Sequence, residues 1–589
     1  MPDNHCANFA PLADGLPGND RIARIFEEIA DLLEVEAANP FRIRAYRKAA
    51  RSVRATESQL SALVLAGKPI PKLQGVGEDL AEKIRTISHT GSCPLLERLH
   101  GEVPARQVEL LQLPFIGPKR LRLLQQELGI DSMETLRDAL AAGRLAQIHG
   151  FGPRLLAQLK AALQARTPGE RRYLQTEARA QATPLLDFLL GLEGVVAAEV
   201  AGSLRRRRET VGDLDIVVCA AGDAMPIIAA LLAYPQVAEV IASGPTRSTL
   251  RLKSGMQVDV RIVGRMSFGS TLQYFTGSKA HGIALRRRAR RLGCKLNEYG
   301  LFRGTERLAG DTEQGLYNAL GLPWIAPELR EDRGEIVAAE RQGLPVLVEP
   351  GDLRGDLHCH TRASDGNDSL WAMALAAQHL GWEYLAITDH SQHLGIAHGL
   401  DPGRLARQLD DIDRVNEELD SLTLLKGCEV DILADGRLDL PDSLLARLDL
   451  VVGAVHSHFR LSSAQQTRRI LRAMDSPYFT ILAHPSGRLL LEREACALDM
   501  RAVIRQARQR GCFLELNAQP QRLDLDEEHC RLAKDEGVLV SIASDAHRAM
   551  DFALLDYGIG QARRGWLERG DVLNTRNLVQ LRALLRSTR

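Results

Sequence analysis

Three aspartates carry the most specific chemistry in this chain. Asp213 and Asp215 stand one residue apart in GSLRRRRETVGDLDIVV (residues 202–218), and Asp259 follows in QVDVRIV (257–263). The apolar run Ile216-Val217-Val218 marks a strand. Alternate strand residues share a face, so both carboxylates of Asp213-Leu214-Asp215 project together. The alternation Gln257-Val258-Asp259-Val260 marks a neighbouring strand that supplies Asp259 as a third ligand. Crowded carboxylates repel unless cations lie between them, and Mg²⁺ takes such oxygen ligands while keeping positions open for phosphates. Two ions about 4 Å apart can activate an attacking 3′-hydroxyl and stabilise a leaving pyrophosphate. A lone Asp-x-Asp is more often an acidic turn. The Gly202-Ser203 turn upstream and the spaced third aspartate favour nucleotidyl transfer instead.

A second chemical set begins at Gly355-Asp356-Leu357-His358-Cys359-His360. Beyond it come Asp365, Thr388-Asp389-His390, Glu429, His456-Ser457-His458, Ala483-His484-Pro485 and Ser544-Asp545-Ala546-His547. Eleven of the sixteen histidines lie in residues 351–589, many straight after short apolar runs such as Tyr384–Ile387, Val451–Val455 and Ile481–Ala483. Such runs read as parallel strands, each delivering a ligand at its C-terminal end, as in a (β/α) barrel. One strand-end histidine is ordinarily a hydrogen-bonded structural residue; several strands ending alike point to metal. Mixed imidazole and carboxylate donors suit Zn²⁺, Mn²⁺ or Fe. Clustered ions can generate hydroxide near neutral pH and clamp a phosphate, which is the chemistry of phosphoester hydrolysis.

A chain of 589 residues needs several domains to position these groups. No apolar run approaches the ~20 residues of a membrane span, and the start MPDNHCANFAPLADG lacks the basic and apolar regions of a signal peptide. Nine scattered cysteines without a CxxC pair fit reduced thiols, so a cytoplasmic location is expected. The net charge of zero divides unevenly: residues 1–350 hold 46 Lys+Arg against 40 Asp+Glu, and 351–589 hold 29 against 35. The basic excess gathers at Arg205–Arg208 and Arg286–Arg291, beside the aspartates, where phosphate contact is expected. The acidic excess suits a half that binds cations. The first third reads as helical, with amphipathic stretches at Arg21–Val35 and Leu121–Leu128. It holds three similar hairpins, LQGVG (73–77), LPFIGP (113–118) and IHGFGP (148–153), each followed by a helix. The segment LPVLVEPGDLRG (344–355), rich in Pro and Gly, reads as a linker.

The aspartate set resembles that of the family X DNA polymerases, the group that includes polymerase beta. Tyr274-Phe275-Thr276-Gly277-Ser278, Asn297-Glu298-Tyr299 and the ending PWIAPELRE (323–331) match segments of the same family. The resemblance implies that Ser203 and Arg206 hold the triphosphate and that Gly212 lets the backbone approach it. Tyr274, Phe275 and Gly277 would bind the nucleotide, the aromatic turn crowding the place of a ribose 2′-hydroxyl, and Arg286 would touch the template. A hydroxyl, a guanidinium and a glycine turn are general means of gripping phosphate. Gly282 departs from the family's asparagine and removes one minor-groove contact to the new base pair.

The hairpins resemble helix-hairpin-helix motifs, which bind the DNA backbone through amides at a helix start. This implies DNA contacts at Gly75, Gly77, Gly117, Gly150 and Gly152, with Phe115 replacing the first glycine of the second hairpin. Lys83 and Ala45-Tyr46-Arg47-Lys48 align with the polymerase beta region whose lysine forms a Schiff base with an abasic sugar. Asp79 and Ser92 stand where that enzyme has further lysines. The C-terminal series resembles the PHP (polymerase and histidinol phosphatase) domain, a distorted seven-stranded barrel with three metal ions. Its ligands would be His358, His360, Asp365, His390, Glu429, His456, His484, Asp545 and His547.

The expected organisation is multidomain. Helix-hairpin-helix regions cover 1–95 and 96–168, an α/β nucleotidyltransferase palm covers 169–263, and a small mixed α/β domain closing over the nucleotide covers 264–335. A linker over 336–352 then leads to a distorted (β/α)₇ PHP barrel over 353–589. The expected activity is DNA-directed filling of short gaps in base excision repair with deoxynucleoside triphosphates and Mg²⁺. A 3′–5′ exonuclease in the barrel would use up to three Mn²⁺ or Zn²⁺ ions and would also cut at abasic sites. Gapped or primed DNA is the expected partner, with no membrane, and the chain is expected to be a monomer. Two rival readings are a small-molecule phosphatase of the histidinol-phosphate type and a non-catalytic DNA-end-binding scaffold. Activity on histidinol phosphate would favour the former, and primer extension would exclude the latter.

Overall fold

A computed structural model describes residues 19–588 apart from 36–37, 55, 57–59, 66–67, 91–92, 103–109, 111–112, 114–115, 149–150, 153–154, 157–158 and 160–170. The chain forms two compact units, residues 1–169 and 170–589.

The described part of the first unit is helical. Asn19–Val35 carries Ile22, Ile25, Phe26, Ile29, Leu32 and Leu33 at the three- and four-residue spacing of one helix face. That face is buried against Tyr46 and Ala50 of Pro40–Arg54, Ile84 of Glu78–Thr90 and Leu99 of Pro94–Glu102. A second cluster joins Leu121 and Leu124 of Pro118–Leu128, Leu136 of Met133–Ala141, and Phe151. The three hairpins close alike. The amides of Val76, Ile116 and Phe151 donate to the carbonyls of Leu73, Leu113 and Ile148 at 3.2, 3.2 and 3.1 Å. The carbonyls of Gly77, Gly117 and Gly152 then receive amides of the following helix, from Ala81, Leu121 and Leu156, at 2.9, 3.0 and 3.0 Å.

The second unit opens with a five-stranded sheet in the order Val195–Val200, Asp213–Ala220, Gln257–Gly264, Arg247–Leu252, Val237–Gly244. The pair Asp213–Ala220 and Gln257–Gly264 is parallel; the other pairs are antiparallel. Leu214, Ile216, Val218, Val258, Val260 and Ile262 pack with Leu185 and Leu189 of the helix Gln175–Leu190 and with Ile227 and Leu231 of Met225–Leu232. Val217 packs on the opposite face with Ala201 and with Leu272 of Arg265–Thr276. The pleat therefore puts Asp213 and Asp215, in phase with Val217, on that second face. Helix Lys279–Arg291 leads into an antiparallel sheet of Lys295–Asn297, Gly300–Arg303 and Glu306–Ala309, with a core of Leu285, Leu301, Leu316, Tyr317 and Ile325.

Seven strands follow: Gly355–Asp356, Tyr384–Ile387, Thr423–Asp431, Leu450–Ala454, Ile481–Leu482, Phe513–Asn517 and Val540–Ala543. They pair in chain order, each parallel to its neighbours. Alternate residues divide between layers. Tyr384 and Ala386 cluster with Leu425, Val452 and Ile481, while Leu385 and Ile387 pack with Met373, Leu405 and Leu409 of the helices Leu370–His379 and Pro402–Glu418. The first and last strands are joined by a bridge between Cys359 and Ala546 just beyond their ends. Asn574 fastens them as well: Nδ2 donates to the Gly355 and Ile542 carbonyls, both at 2.8 Å, and Oδ1 accepts the Ile542 amide at 3.1 Å. The helix Leu578–Ser587 adds Leu581 and Leu585 to the Tyr384 cluster.

The segment expected as a linker is packed chain. Glu335–Glu340 is helical, Leu347 bridges Glu568, and Val348 is buried in the barrel core with its amide on the Leu567 carbonyl at 3.0 Å. Pro350 and Gly351 form a turn of 3₁₀ helix, so the loop-forming residues bend a chain whose apolar neighbours hold it down. Among the described residues no helix is long and apolar enough to cross a membrane.

Candidate active sites

Asp215 and Asp259 are register partners on adjacent parallel strands, with Asp213 two residues before Asp215 on the same face. Burial first, and then the charges of Asp213 and Asp259, push the Asp215 carboxyl up to about 7. Asp259 is held by Thr249 Oγ1 on one oxygen at 2.5 Å and by Gln257 Nε2 on the other at 2.9 Å. Gly202 has φ +58°, and a Cβ there would collide with Asp215 Oδ2, so only glycine lets the turn Gly202–Arg205 lie against this carboxylate. Ser203 lies in that turn, and Gly212 directly precedes Asp213. A buried carboxyl crowded by two others is a place where a divalent cation can replace a proton, and the all-oxygen donor set fits Mg²⁺.

Arg206 follows the same turn. Its Nη1 donates to the Thr276 carbonyl at 2.5 Å and its Nε to Glu331 at 3.0 Å, next to Gly277. Tyr274, 42 % exposed, packs edge-on against Phe275 at 5.2 Å, and the Arg286 guanidinium lies 5.8 Å from the Tyr274 ring. The Arg205–Arg208 run, expected to face phosphate, is largely paired internally. Arg205 meets Glu313, Arg206 meets Glu331, Arg207 meets Asp556, and Arg208 lies 3.8 Å from Glu331 and 3.7 Å from Glu527. Glu313 takes both terminal nitrogens of Arg205 (2.8 and 2.8 Å), both of Arg330 (2.6 and 3.1 Å) and Trp324 Nε1 (3.1 Å). Burial alone would raise its carboxyl; the two guanidiniums outweigh it and bring it down to about 2.

At the C-terminal ends of the barrel strands, ligand atoms converge in three groups, each within 4.8 Å. They are His360, Asp365, His390 and His547; His358, His360 and Asp545; and His390, Glu429 and His456. Glu429 is shared, at 2.7 Å from His390 Nδ1, 2.9 Å from His484 Nε2 and 3.2 Å from His456 Nε2. Burial would raise its carboxyl, but the imidazoles of His390, His456 and His358 hold it well below the usual carboxylate range. His360 is fully buried and its Nδ1 has no hydrogen-bond partner. Its Nε2 faces His358 Nε2 at 3.2 Å and Asp545 Oδ1 at 3.1 Å. Burial and then the His390 charge push His360 down to about 4, which favours the neutral imidazole that ligates metal. The donors fit metal ions.

Sequence reasoning missed the residues behind these groups. Glu515 Oε2 takes His358 Nδ1 at 2.6 Å, Asn517 Nδ2 donates to Asp545 Oδ2 at 3.0 Å, and Asp431 Oδ1 lies 3.3 Å from His456 Nδ1. Such partners set which ring nitrogen is left for metal. Their signal was the alternation of polar residues in otherwise apolar strands, Phe513-Leu514-Glu515-Leu516-Asn517 and Glu429-Val430-Asp431.

In the first unit, Gly75, Gly77, Gly117 and Gly152 are exposed, and nothing lies within 4 Å of a Cβ built on Gly77, Gly117 or Gly152. Gly75 packs on the Lys48 stem. Gly150, Phe115 and Ser92 lie outside the described residues. Lys83 Nζ donates to the Asp79 carboxylate at 2.5 Å and its carbonyl at 3.4 Å, so the amine is engaged in an ion pair.

A sheet that gathers three aspartates, a small domain tied to it through Glu313, and a parallel barrel lined with histidines define a nucleotidyltransferase joined to a metal-dependent phosphoesterase. Comparison with known proteins finds family matches along parts of the chain. Residues 17–93 match a helix-hairpin-helix domain, 108–165 a SAM-like helix-hairpin-helix tandem, 271–331 the DNA polymerase beta thumb and 356–518 the PHP domain. The DNA polymerase/3′-5′ exonuclease PolX of Bacillus subtilis (strain 168) is 36% identical over 569 residues, which cover 96% of this chain and 99% of that protein. The chain belongs to this family, the family X DNA polymerases with a C-terminal PHP domain. A probable phosphatase of Thermoanaerobacter sp. (strain X514) is 29% identical over 232 residues, 37% of this chain and 89% of that protein. One of Caldicellulosiruptor saccharolyticus is 29% identical over 214 residues, 35% of this chain and 84% of its own.

Proposed function

We propose that this chain fills short gaps during DNA repair and processes 3′ ends in its barrel. As a family member it is a DNA polymerase with a 3′–5′ exonuclease that uses divalent metal, DNA and deoxynucleoside triphosphates. The observation that carries the reading is the register pairing of Asp215 with Asp259, beside Asp213 on the same face. Asp213, Asp215 and Asp259 hold Mg²⁺ in this reading, and Ser203 and Arg206 grip the triphosphate where Gly212 and Gly277 allow close approach. Tyr274 and Phe275 lie along the sugar, and Arg286 reaches the template. In the barrel, His358, His360, Asp365, His390, Glu429, His456, His484, Asp545 and His547 hold up to three Mn²⁺ or Zn²⁺ ions, while Glu515, Asn517 and Asp431 fix their orientation. Bound ions would neutralise phosphate charge in both places and supply hydroxide in the barrel. Abasic-site cleavage is assigned to the same barrel, and the backbone grip on gapped DNA to Gly75, Gly77, Gly117, Gly150 and Gly152. The chain acts as a cytoplasmic monomer in this reading.

The test separates the two sites. Asp213→Ala should lose primer extension on gapped DNA in Mg²⁺ yet still degrade a 3′ end in Mn²⁺. His358→Ala with His360→Ala should show the reverse, once circular dichroism shows the barrel folded. Extension by Asp213→Ala above a few per cent of wild type, or nuclease surviving in the metal-depleted double variant, refutes the assignment.

A further inference from the structure

Arg206 belongs to a buried charge cluster that crosses from the polymerase core to the barrel half. Glu331 Oε1 accepts from Arg206 Nε and from Arg564 Nη1, both at 3.0 Å. The same Arg564 nitrogen donates to the main-chain carbonyl of Arg206 at 2.8 Å, and Arg564 Nη2 donates to Glu527 at 2.8 Å. Arg564 ends the helix Leu555–Arg564, whose Ile559 and Ala562 pack in the core of the barrel with Ile542. This helix lies close on the polymerase core. A Cβ on Gly560 would come within 2.8 Å of Arg207 Cδ, and Asp556 takes Arg207 and Arg179 at 2.7 and 2.6 Å.

We propose that Arg564 is a positioning residue for the polymerase's nucleotide site: the barrel half holds Arg206 in its phosphate-gripping pose through Glu331 and through the Arg206 carbonyl. This rests on the reading that Arg206 grips the triphosphate. A guanidinium makes a directed bond to phosphate only when its plane is fixed. Here Glu331 fixes the plane at Nε and the Thr276 carbonyl at Nη1. Nη2 has no hydrogen-bond partner among the described residues and is not among the buried unpartnered atoms, which leaves it accessible to a ligand. Arg564 holds both the carboxylate that orients the guanidinium and the backbone that carries it. Without Arg564, Arg206 keeps its charge and loses its aim. The triphosphate is gripped in the ground state as well as the transition state, so the loss falls on KM and spares kcat.

The experiment is gap-filling kinetics of the full chain in Mg²⁺ with varied deoxynucleoside triphosphate. Arg564→Met should raise KM about tenfold with kcat within about twofold, and 3′-end degradation in Mn²⁺ should be unchanged. Glu331→Gln should raise KM too, and the double variant should do little more than the larger single change, because both act through one chain of contacts. Arg206→Ala separates the premises. If it leaves KM unchanged, the reading of Arg206 itself fails. If it raises KM while folded Arg564→Met does not, this inference alone fails. Joint loss of both activities in a folded Arg564→Met protein also overturns it, since that is the mark of a merely structural role. Should Arg564→Met not fold, Arg564→Lys carries the test. One ammonium cannot serve Glu331, Glu527 and the Arg206 carbonyl as a fork does, and an unchanged KM there refutes the proposal.

Discussion

Replacing Glu313 by Gln should remove about 3 kcal/mol of stability at pH 7 while keeping the shape of the side chain. The carboxylate is 7 % exposed and receives five hydrogen bonds, two each from Arg205 and Arg330 and one from Trp324; Arg330 is fully buried. An amide leaves both guanidiniums without a counter-charge and points an N–H₂ at donors. The carboxyl titrates at about 2 in place of its ordinary 4.5. At about 1.4 kcal/mol for each tenfold change in proton affinity, that again amounts to about 3 kcal/mol. Because the folded value is depressed, the stabilisation is fully present above pH 4.5 and is lost as pH falls toward 2. Between pH 7 and 3.5 the gap between wild type and Glu313→Gln should therefore narrow by about 1 kcal/mol. Urea unfolding followed by tryptophan fluorescence measures it, with Trp324 as a reporter at the site itself. A variant within about 1 kcal/mol of wild type at pH 7, or a gap indifferent to pH over that window, would falsify the account of Glu313 as the anion that joins the two arginines.

Asn574→Ala should lower stability by about 3 kcal/mol in urea unfolding, because two buried carbonyls and one amide at the barrel's closure lose their partner. Asn574→Asp should rescue little, since two of those three partners need a donor. Metal content, measured by elemental analysis of purified protein, should fall further in His360→Ala than in His456→Ala, since His360 belongs to two of the three ligand groups and His456 to one. If Lys83 forms a Schiff base, Lys83→Ala should abolish borohydride trapping on incised abasic DNA. Asp79→Ala should increase it by freeing the amine from its ion pair, and equal trapping by Lys83→Ala excludes this lysine.

What was legible in the chain were features whose cause is local. The period-2 pattern around Asp213-Leu214-Asp215 and Gln257-Val258-Asp259 states which residues share a face, because the pleat alone decides it. Apolar runs ending in His390, His456 and His484 state the order of the barrel for the same reason: burial on both sides makes the run, and the strand's end makes the ligand. The three similar hairpin strings repeat one hydrogen-bond scheme between their described residues. Illegible were features whose partner is far along the chain. Arg205–Arg208 reads as a basic patch, yet its side chains meet Glu313, Glu331, Glu527 and Asp556, more than a hundred residues away. Nothing in RRRRE distinguishes an arginine that will face solvent phosphate from one that a distant carboxylate will hold. Leu344–Gly355 misled in the same way. Its prolines and glycines speak for a linker, while Leu347 and Val348 become core only once Leu567 and Glu568 come back beside them. Arg207, Arg208 and Val348 meet their distant partners along one seam. That seam is where the barrel half meets the polymerase core, so the coupling between the halves is the part of this protein that the local pattern could least reveal.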